Sequence, residues 1–248
     1  MTRGARPESK TAIPSGNGHS SRPGTTAPRG RRGTWIGSSA WIRAGAVAGV
    51  AGPAAFTLAW IIAAFRQPGL SFSVPQISGL AADNARDPWL MISGFLVLGG
   101  CAVGFGAALR MALGGRQAGP GPTLIQLAGL LAIAAGLLRR DHVLLTSAAQ
   151  SWHNQAHNVI SAAVYLLLIA APLLLAWRFR HDRGWRGLAV PLVVAAVASA
   201  ALLAALYADP NGGWAATLQR IGVSLPLAAV VAVAARLARL AGVRTGRT

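Results

Sequence analysis

AHNVISAAVYLLLIAAPLLLA, residues 156–176, runs directly into WRFRHDRGWRG, residues 177–187. The first segment carries no Asp, Glu, Lys or Arg, and it meets the length of about 20 mostly apolar residues that a helix needs to cross a bilayer. A helix at the surface of a water-soluble domain would show a polar face over that distance. The second segment places two tryptophans and four arginines in eleven positions. Tryptophan settles at the membrane–water interface, and Arg and Lys accumulate on the cytoplasmic side of spans. The stretch therefore reads as a helix that leaves the membrane at its inner face.

Working outward, five more apolar runs cover residues 44–64, 89–109, 123–138, 188–207 and 215–235. The run 123–138 is short for a span, so it recruits flanking residues or crosses a thinned region. The expected fold is all-α, a polytopic bundle of six transmembrane helices over 44–240. Residues 1–43 are dominated by Gly, Ser, Pro, Thr and Arg. They cannot bury enough surface to offset their ordering entropy, and they read as a disordered tail. Residues 241–248 read as a short basic tail. The first run is too long for a secretory h-region, so it is expected to remain as an uncleaved span.

Composition agrees. The 248 residues are 53% hydrophobic and 12% charged, about half the charge usual in a soluble domain. The lone cysteine, Cys101, excludes an intramolecular disulfide and a cysteine-rich zinc site. A net charge of +17 would by itself suggest nucleic acid, but the placement of the charge argues otherwise. With both termini inside, the inner segments hold eighteen Lys and Arg and the outer loops four, with Arg220 inside the last run. The basicity is a topology signal, and no nucleic-acid partner is expected. Trp35, Trp41, Trp177 and Trp185 fall at inner boundaries, and Trp60, Trp89, Trp152 and Trp214 near outer ones. The expected location is a bacterial plasma membrane, multi-pass, with both termini cytoplasmic and the lipid bilayer as the main partner.

Polar residues near a span are costly and therefore informative. They collect at the outer end. The third run ends in Arg139, Arg140, Asp141 and His142, and the fourth opens with Ser151, Trp152, His153, Asn154, Gln155, Ala156, His157 and Asn158. On a helix, His153, His157, Ser161 and Tyr165 form one stripe, with Asn154 and Asn158 beside it. Arg220 shares a face of the sixth run with Thr217 and Ser224. Asp141, His153, His157 and Arg220 are the candidate ligand-binding cluster, expected to converge on one pocket near the outer surface. Two histidines four apart can share a zinc ion but need a further ligand, from Asp141 or His142. A hydrogen-bonded polar patch is the simpler reading, and no cofactor is expected. Arg220 either snorkels to lipid phosphates or pairs with an outer carboxylate such as Asp141. Asp83 and Asp87 read as solvated loop residues. Gly45 and Gly49 form a GxxxG, a pattern that chance also produces among 30 glycines.

From about Gly45 to Leu240 the chain resembles the bacterial and archaeal integral membrane proteins catalogued as domain of unknown function 998. The resemblance rests on Gly52-Pro53 with Phe56, on Pro68-Gly69, on Ile77-Ser78-x-Leu80 and on Pro88-Trp89. Asp141, His153, His157, Trp185-Arg186-Gly187 and Gln219-Arg220 complete it. Arg139-Arg140 departs from the apolar approach to the Asp that the family suggests. The resemblance implies six spans and no established activity. The His-x3-His pair is also loosely similar to intramembrane metal hydrolases of the alkaline ceramidase and adiponectin receptor type, whose span number and residue order do not fit.

Three functions are consistent with these features. The leading one is a non-enzymatic membrane protein whose outer polar cleft binds a lipid headgroup or small molecule. The alternative is an enzyme acting on a lipid or lipid-linked substrate at the outer leaflet. There Asp141, His153 and His157 would be metal ligands or general acid and base, and Arg220 would hold phosphate. The third is a small transporter, for which midplane polar residues and repeats are scarce. Oligomeric state is not legible.

Overall fold

The computed structural model describes residues 33–67, 76–141, 150–210 and 212–245. Six α-helices follow one another: α1 (Gly33–Arg66), α2 (Pro88–Ala112), α3 (Gly121–Leu137), α4 (Trp152–Phe179), α5 (Ala189–Ala208) and α6 (Ala215–Thr245). Five of them are long and apolar enough to span a membrane, and α3 is a shorter apolar helix. At 1.5 Å per residue its 17 residues reach about 25 Å, less than the ~30 Å hydrocarbon core. The chain is an all-α, multi-pass membrane protein.

Each helix packs on its neighbours in sequence, and α6 also packs on α1, so the six close into a ring; α6 touches α4 and α2 as well. Short connections explain the packing of α2 on α3, α4 on α5 and α5 on α6. Closure through α6 and α1 was not readable from the chain. α1 begins at Gly33, so residues 33–43, expected in the tail, are helical; residues 1–32 lie outside the described residues. The apolar character of Trp35, Ile36, Trp41 and Ile42 explains the extension, because these residues continue the run inward beyond Arg43.

Two apolar clusters fill the interior. Phe105, Leu109, Ile125, Leu175, Phe179 and Val233 belong to one, while Phe56, Trp60, Leu80, Met91, Leu98 and Val223 belong to the other. Large residues such as Leu58, Leu130, Val159, Leu166, Val190 and Val194 are exposed and face the lipid. Prolines fit without breaking the bundle. Pro191 sits in the first turn of α5, where no intrahelical donor is lost, and Pro53, Pro172 and Pro226 lie inside helices.

The tryptophan pattern needs two corrections. Trp41, Trp89, Trp152, Trp177 and Trp214 are exposed, as interfacial anchors should be, but Trp60 and Trp185 are buried. Trp60 lies beneath the Arg220 guanidinium, 5.4 Å from ring centre to Cζ. Trp185 stacks on Phe179 at 4.6 Å. A ring at a span boundary can turn inward when a partner awaits it there. The Gly45–Gly49 pair is also more than a chance match: a β-carbon at Gly49 would lie 2.7 Å from both Ala234 of α6 and Phe105 of α2.

Candidate functional site

At the end of the bundle where α1, α3 and α5 finish, a buried 3-10 turn, Ile77–Ala81, closes over the helices. We call it the cap. All five of its residues are buried, Leu80 completely. The apolar residues carry the burial, and polar bonds fix the position. The Ile77 amide donates to Oε1 of Gln219 on α6 at 2.6 Å. Gln76 donates to the Pro210 carbonyl at 3.4 Å. The Asp83 amide donates to the Arg140 carbonyl at 3.0 Å, beside a parallel bridge between Ala82 and Arg140. Before the cap, Gln67 accepts from the Arg86 amide, and Arg66 pairs with Asp87 at 2.6 Å. Asp87 is thus engaged rather than merely solvated.

Arg140 is the hub. Its Nε donates to Oδ1 of Asn154 at 3.1 Å, and an amino nitrogen donates to Oγ of Ser78 at 2.8 Å. One guanidinium therefore ties the end of α3, the start of α4 and the cap together, a use for which its rigid fork is suited. Burial lowers its proton affinity, against the opposing influence of Tyr165 and Asp141.

The four candidates take different places. Asp141 accepts from the Ser151 amide at 2.5 Å and from the Ser151 hydroxyl at 2.7 Å. Ser151 Oγ in turn accepts from the Asn154 amide at 3.3 Å, capping α4. Asp141 therefore clamps a helix start. His153 is exposed and stacks on Trp152 at 3.7 Å. His157 is buried on the same helix, with Nδ1 at 2.8 Å from the Ala135 carbonyl and 3.2 Å from that of Leu138. Carbonyls only accept, so Nδ1 carries the proton and satisfies the open end of α3. Nε2 is buried and has no hydrogen-bond partner among the described residues. Arg220 is buried on α6, over Trp60.

The expected His153–His157 stripe therefore splits between solvent and interior. The inward stripe is Asn154, His157, Ser161 and Tyr165. Arg140 is a cation found among Asp141, Asn154 and His157. Among the described residues no group of three or more His, Cys, Asp or Glu could hold a metal ion; His142 lies outside them. Sequence reasoning passed over Arg140, Ser78, Asn154 and Gln219 as site residues. For two of them the signal was available, since Arg140 and Asn154 are polar and border an apolar run; Gln219 is a polar residue inside one, and Ser78 lies in the loop between two.

Beneath the cap is a cavity of about 30 Å³ lined by Ser78, Ser161 and Tyr165 together with Phe56, Phe95 and Leu98. That is room for about one or two waters. Tyr165 is also hydrogen-bonded to the Gln219 side chain, so the residue that latches the cap reaches the cavity wall.

The two bonds from Ser151 hold the Asp141 carboxyl below the ordinary carboxylate range. A group with a depressed native pKa stabilises above its unfolded-state value and loses that contribution as pH falls through the native one. The amides of Ser151, Asn154 and Gln155, which have acceptors at this helix start, are therefore expected to keep their exchange protection at pH 5 and to lose it in stronger acid. In Asp141→Ala the protection should already be lost at pH 7. Hydrogen exchange read by mass spectrometry checks this, and equal protection in both proteins at pH 7 would show the clamp to be idle.

No curated protein and no solved structure matches the chain. The match that does exist covers residues 50–236, which include the cap, Arg140, Asp141, both histidines and the Gln219-Arg220 pair, and by it this chain belongs to the family described as protein of unknown function DUF998.

Proposed function

We propose that this is a non-enzymatic protein of a bacterial plasma membrane, with both termini cytoplasmic, that binds a lipid headgroup or small polar molecule at its outer end. The cap is the moving part. The observation that carries the reading is the His157 Nε2 acceptor, buried without a partner among the described residues, close to the Arg140 charge. A buried acceptor left unpaired costs about 1–3 kcal/mol, which a donor group of a ligand would recover. The cavity under the cap is lined not by His157 but by Ser78, Ser161 and Tyr165, the last two one and two turns along α4 from it, which offer the polar contacts there. Asp141 and His153 stand outside as the rim, and Arg220 belongs to the α6 wall next to the Gln219 latch. The cavity as it stands is too small for a headgroup, so binding requires the cap to lift.

The same geometry speaks for binding rather than hydrolysis. The carboxylate of Asp141 is occupied by Ser151, and Nδ1 of His157 by the end of α3. The Asp141 carboxylate is therefore not free to activate water; Nε2 of His157 keeps its lone pair, which we assign to a ligand donor rather than to a water. Orientation is supported by the arginines at the opposite end, where the α2–α3 and α4–α5 connections lie.

The test uses Ser161→Ala/Tyr165→Phe, which removes two cavity hydroxyls at little cost in packing. Protein is reconstituted in nanodiscs of phosphatidylethanolamine and phosphatidylglycerol, released gently and weighed by native mass spectrometry. Wild type should retain a lipid that the variant holds about tenfold more weakly, the worth of one good hydrogen bond. Equal retention by both proteins would refute the outer-end site.

A further inference from the structure

At the opposite end of the bundle lies a larger cavity, about 560 Å³, between the α4–α5 turn and the last turns of α6. Its volume falls in the range of small-molecule sites. Arg183 and Arg186 line it from the turn, Arg236 and Arg239 from α6. We propose that this cleft binds the phosphates of an anionic phospholipid headgroup, with room and charge for two phosphates.

Four observations carry the proposal. The first is charge without compensation, for no acidic residue lines the cleft. The nearby acid, Asp182, is already used: one carboxylate oxygen accepts from the Gly184 amide at 2.9 Å, and the other pairs with Arg178 at 3.6 Å. The second is construction. Arg236 Nε donates to the Gly184 carbonyl at 2.7 Å, which pins α6 to the turn and holds the rest of its guanidinium at the cleft. Buried Trp185, stacked on Phe179, fixes the turn from behind.

The third is the start of α5. Leu188 is its N-cap and makes no side-chain cap, and the first turn contains no acidic residue. The 3-10 turn Arg186–Leu188 runs into this start, the Ala189 amide donates to the Arg186 carbonyl, and Pro191 has no amide hydrogen. The helix dipole therefore adds a positive field beside Leu188 without an internal anion, not a cradle of free amides. The fourth is depth. Trp177 is exposed at this end, with the Arg180 guanidinium 3.2 Å over its ring, which marks the headgroup level. Ala232 and Ala235 give the cleft an apolar side, and exposed Val190 and Val194 continue it along α5, where acyl chains would lie.

A topological role alone does not account for this. Arginines that merely fix orientation need no shared cavity, and Arg178 and Arg180 at the same end show the ordinary alternatives, an ion pair and a tryptophan stack. Converging guanidiniums in a cleft at the membrane surface match phosphate, which Arg binds bidentately. A free diphosphate shares that chemistry. The headgroup depth favours the lipid.

The experiment titrates the whole protein in phosphatidylcholine nanodiscs with diphosphatidylglycerol, reading the thermal midpoint and the bound lipid by native mass spectrometry. The variant Arg183→Gln/Arg186→Gln/Arg239→Gln removes exposed charges and keeps Arg236, which holds the turn. Wild type should gain stability with the lipid, and the variant should bind it about a hundredfold more weakly, at roughly fivefold for each of the three arginines near an anionic surface. The response should shrink as salt rises. Equal binding by both proteins would overturn the site. Stabilisation by inorganic pyrophosphate without any by the lipid would overturn the lipid as its ligand. The outer-end variant Ser161→Ala/Tyr165→Phe should respond like wild type here, so the two sites fail or stand separately.

Discussion

Gly99→Leu should prevent the bundle from packing, whereas Gly100→Leu, one residue on, should leave it intact. A β-carbon at Gly99 would lie 2.5 Å from the Gly129 carbonyl oxygen on α3 and 2.5 Å from Ile133. The approach is mutual, since a β-carbon at Gly129 would meet the Gly99 carbonyl at 2.6 Å. A flexible side chain can move aside, but a helix backbone cannot without separating α2 from α3. Overpacking a well-filled interior costs about 1–3 kcal/mol, occasionally more, and a backbone obstacle puts this case at the upper end. Association of helices in lipid depends on close packing of this kind. Gly100 is exposed and has nothing within reach of its β-carbon, so leucine there adds lipid contact. The expected result is a sharp loss of monodisperse protein and a lowered thermal midpoint for Gly99→Leu, with Gly100→Leu at or above wild type. Gly129→Leu should behave like Gly99→Leu. Similar midpoints for the two neighbours would mean that α2 and α3 are not packed as closely as described.

That contrast shows what the chain makes legible. Hydropathy and the arginine asymmetry integrate over twenty residues, so they locate spans well, and the all-α six-helix bundle was readable from them. Which neighbour of a pair turns inward depends on rotation about the helix axis. In an apolar helix that rotation leaves almost no trace, because the lipid-facing and interior faces have similar composition. Gly99 and Gly100 look alike for that reason, and so do His153 and His157. The cap was hidden differently. Ile77–Ala81 is too short for a periodic signal, and its partners Gln219 and Arg140 lie far along the chain. Asp141 drew attention as a charge beside a span, yet its role at Ser151 depends on a local turn that charge counting does not see.

Arg139 and Arg140 provide the second large contrast. Arg140→Met should loosen the cap, and Arg139→Met should do almost nothing. Arg139 is three-quarters exposed and faces a half-exposed Asp83 at 3.6 Å. Ion pairs of that kind are worth between zero and about 1 kcal/mol. Arg140 makes two charge-assisted bonds in a half-buried setting, to Asn154 and Ser78. Methionine preserves the length and fills the space but leaves both acceptors unpaired. Each bond to a charged group contributes about 1.5–3 kcal/mol, so a loss of roughly 2–4 kcal/mol is expected after partial relaxation. The backbone bond from Asp83 to the Arg140 carbonyl does not depend on the side chain, so the cap should loosen rather than detach. Amides of residues 77–82 should then exchange at least about tenfold faster, while those inside α2 and α5 stay unchanged. Arg140→Lys separates charge from shape: an ammonium keeps the positive charge but lacks the planar fork that spans two partners. It should recover part of the protection and not all of it. If Arg140→Met and Arg139→Met exchanged alike over 77–82, the cap would be held by burial of Leu80 and its neighbours alone. A binding cycle that depends on lifting the cap would then have lost its polar latch.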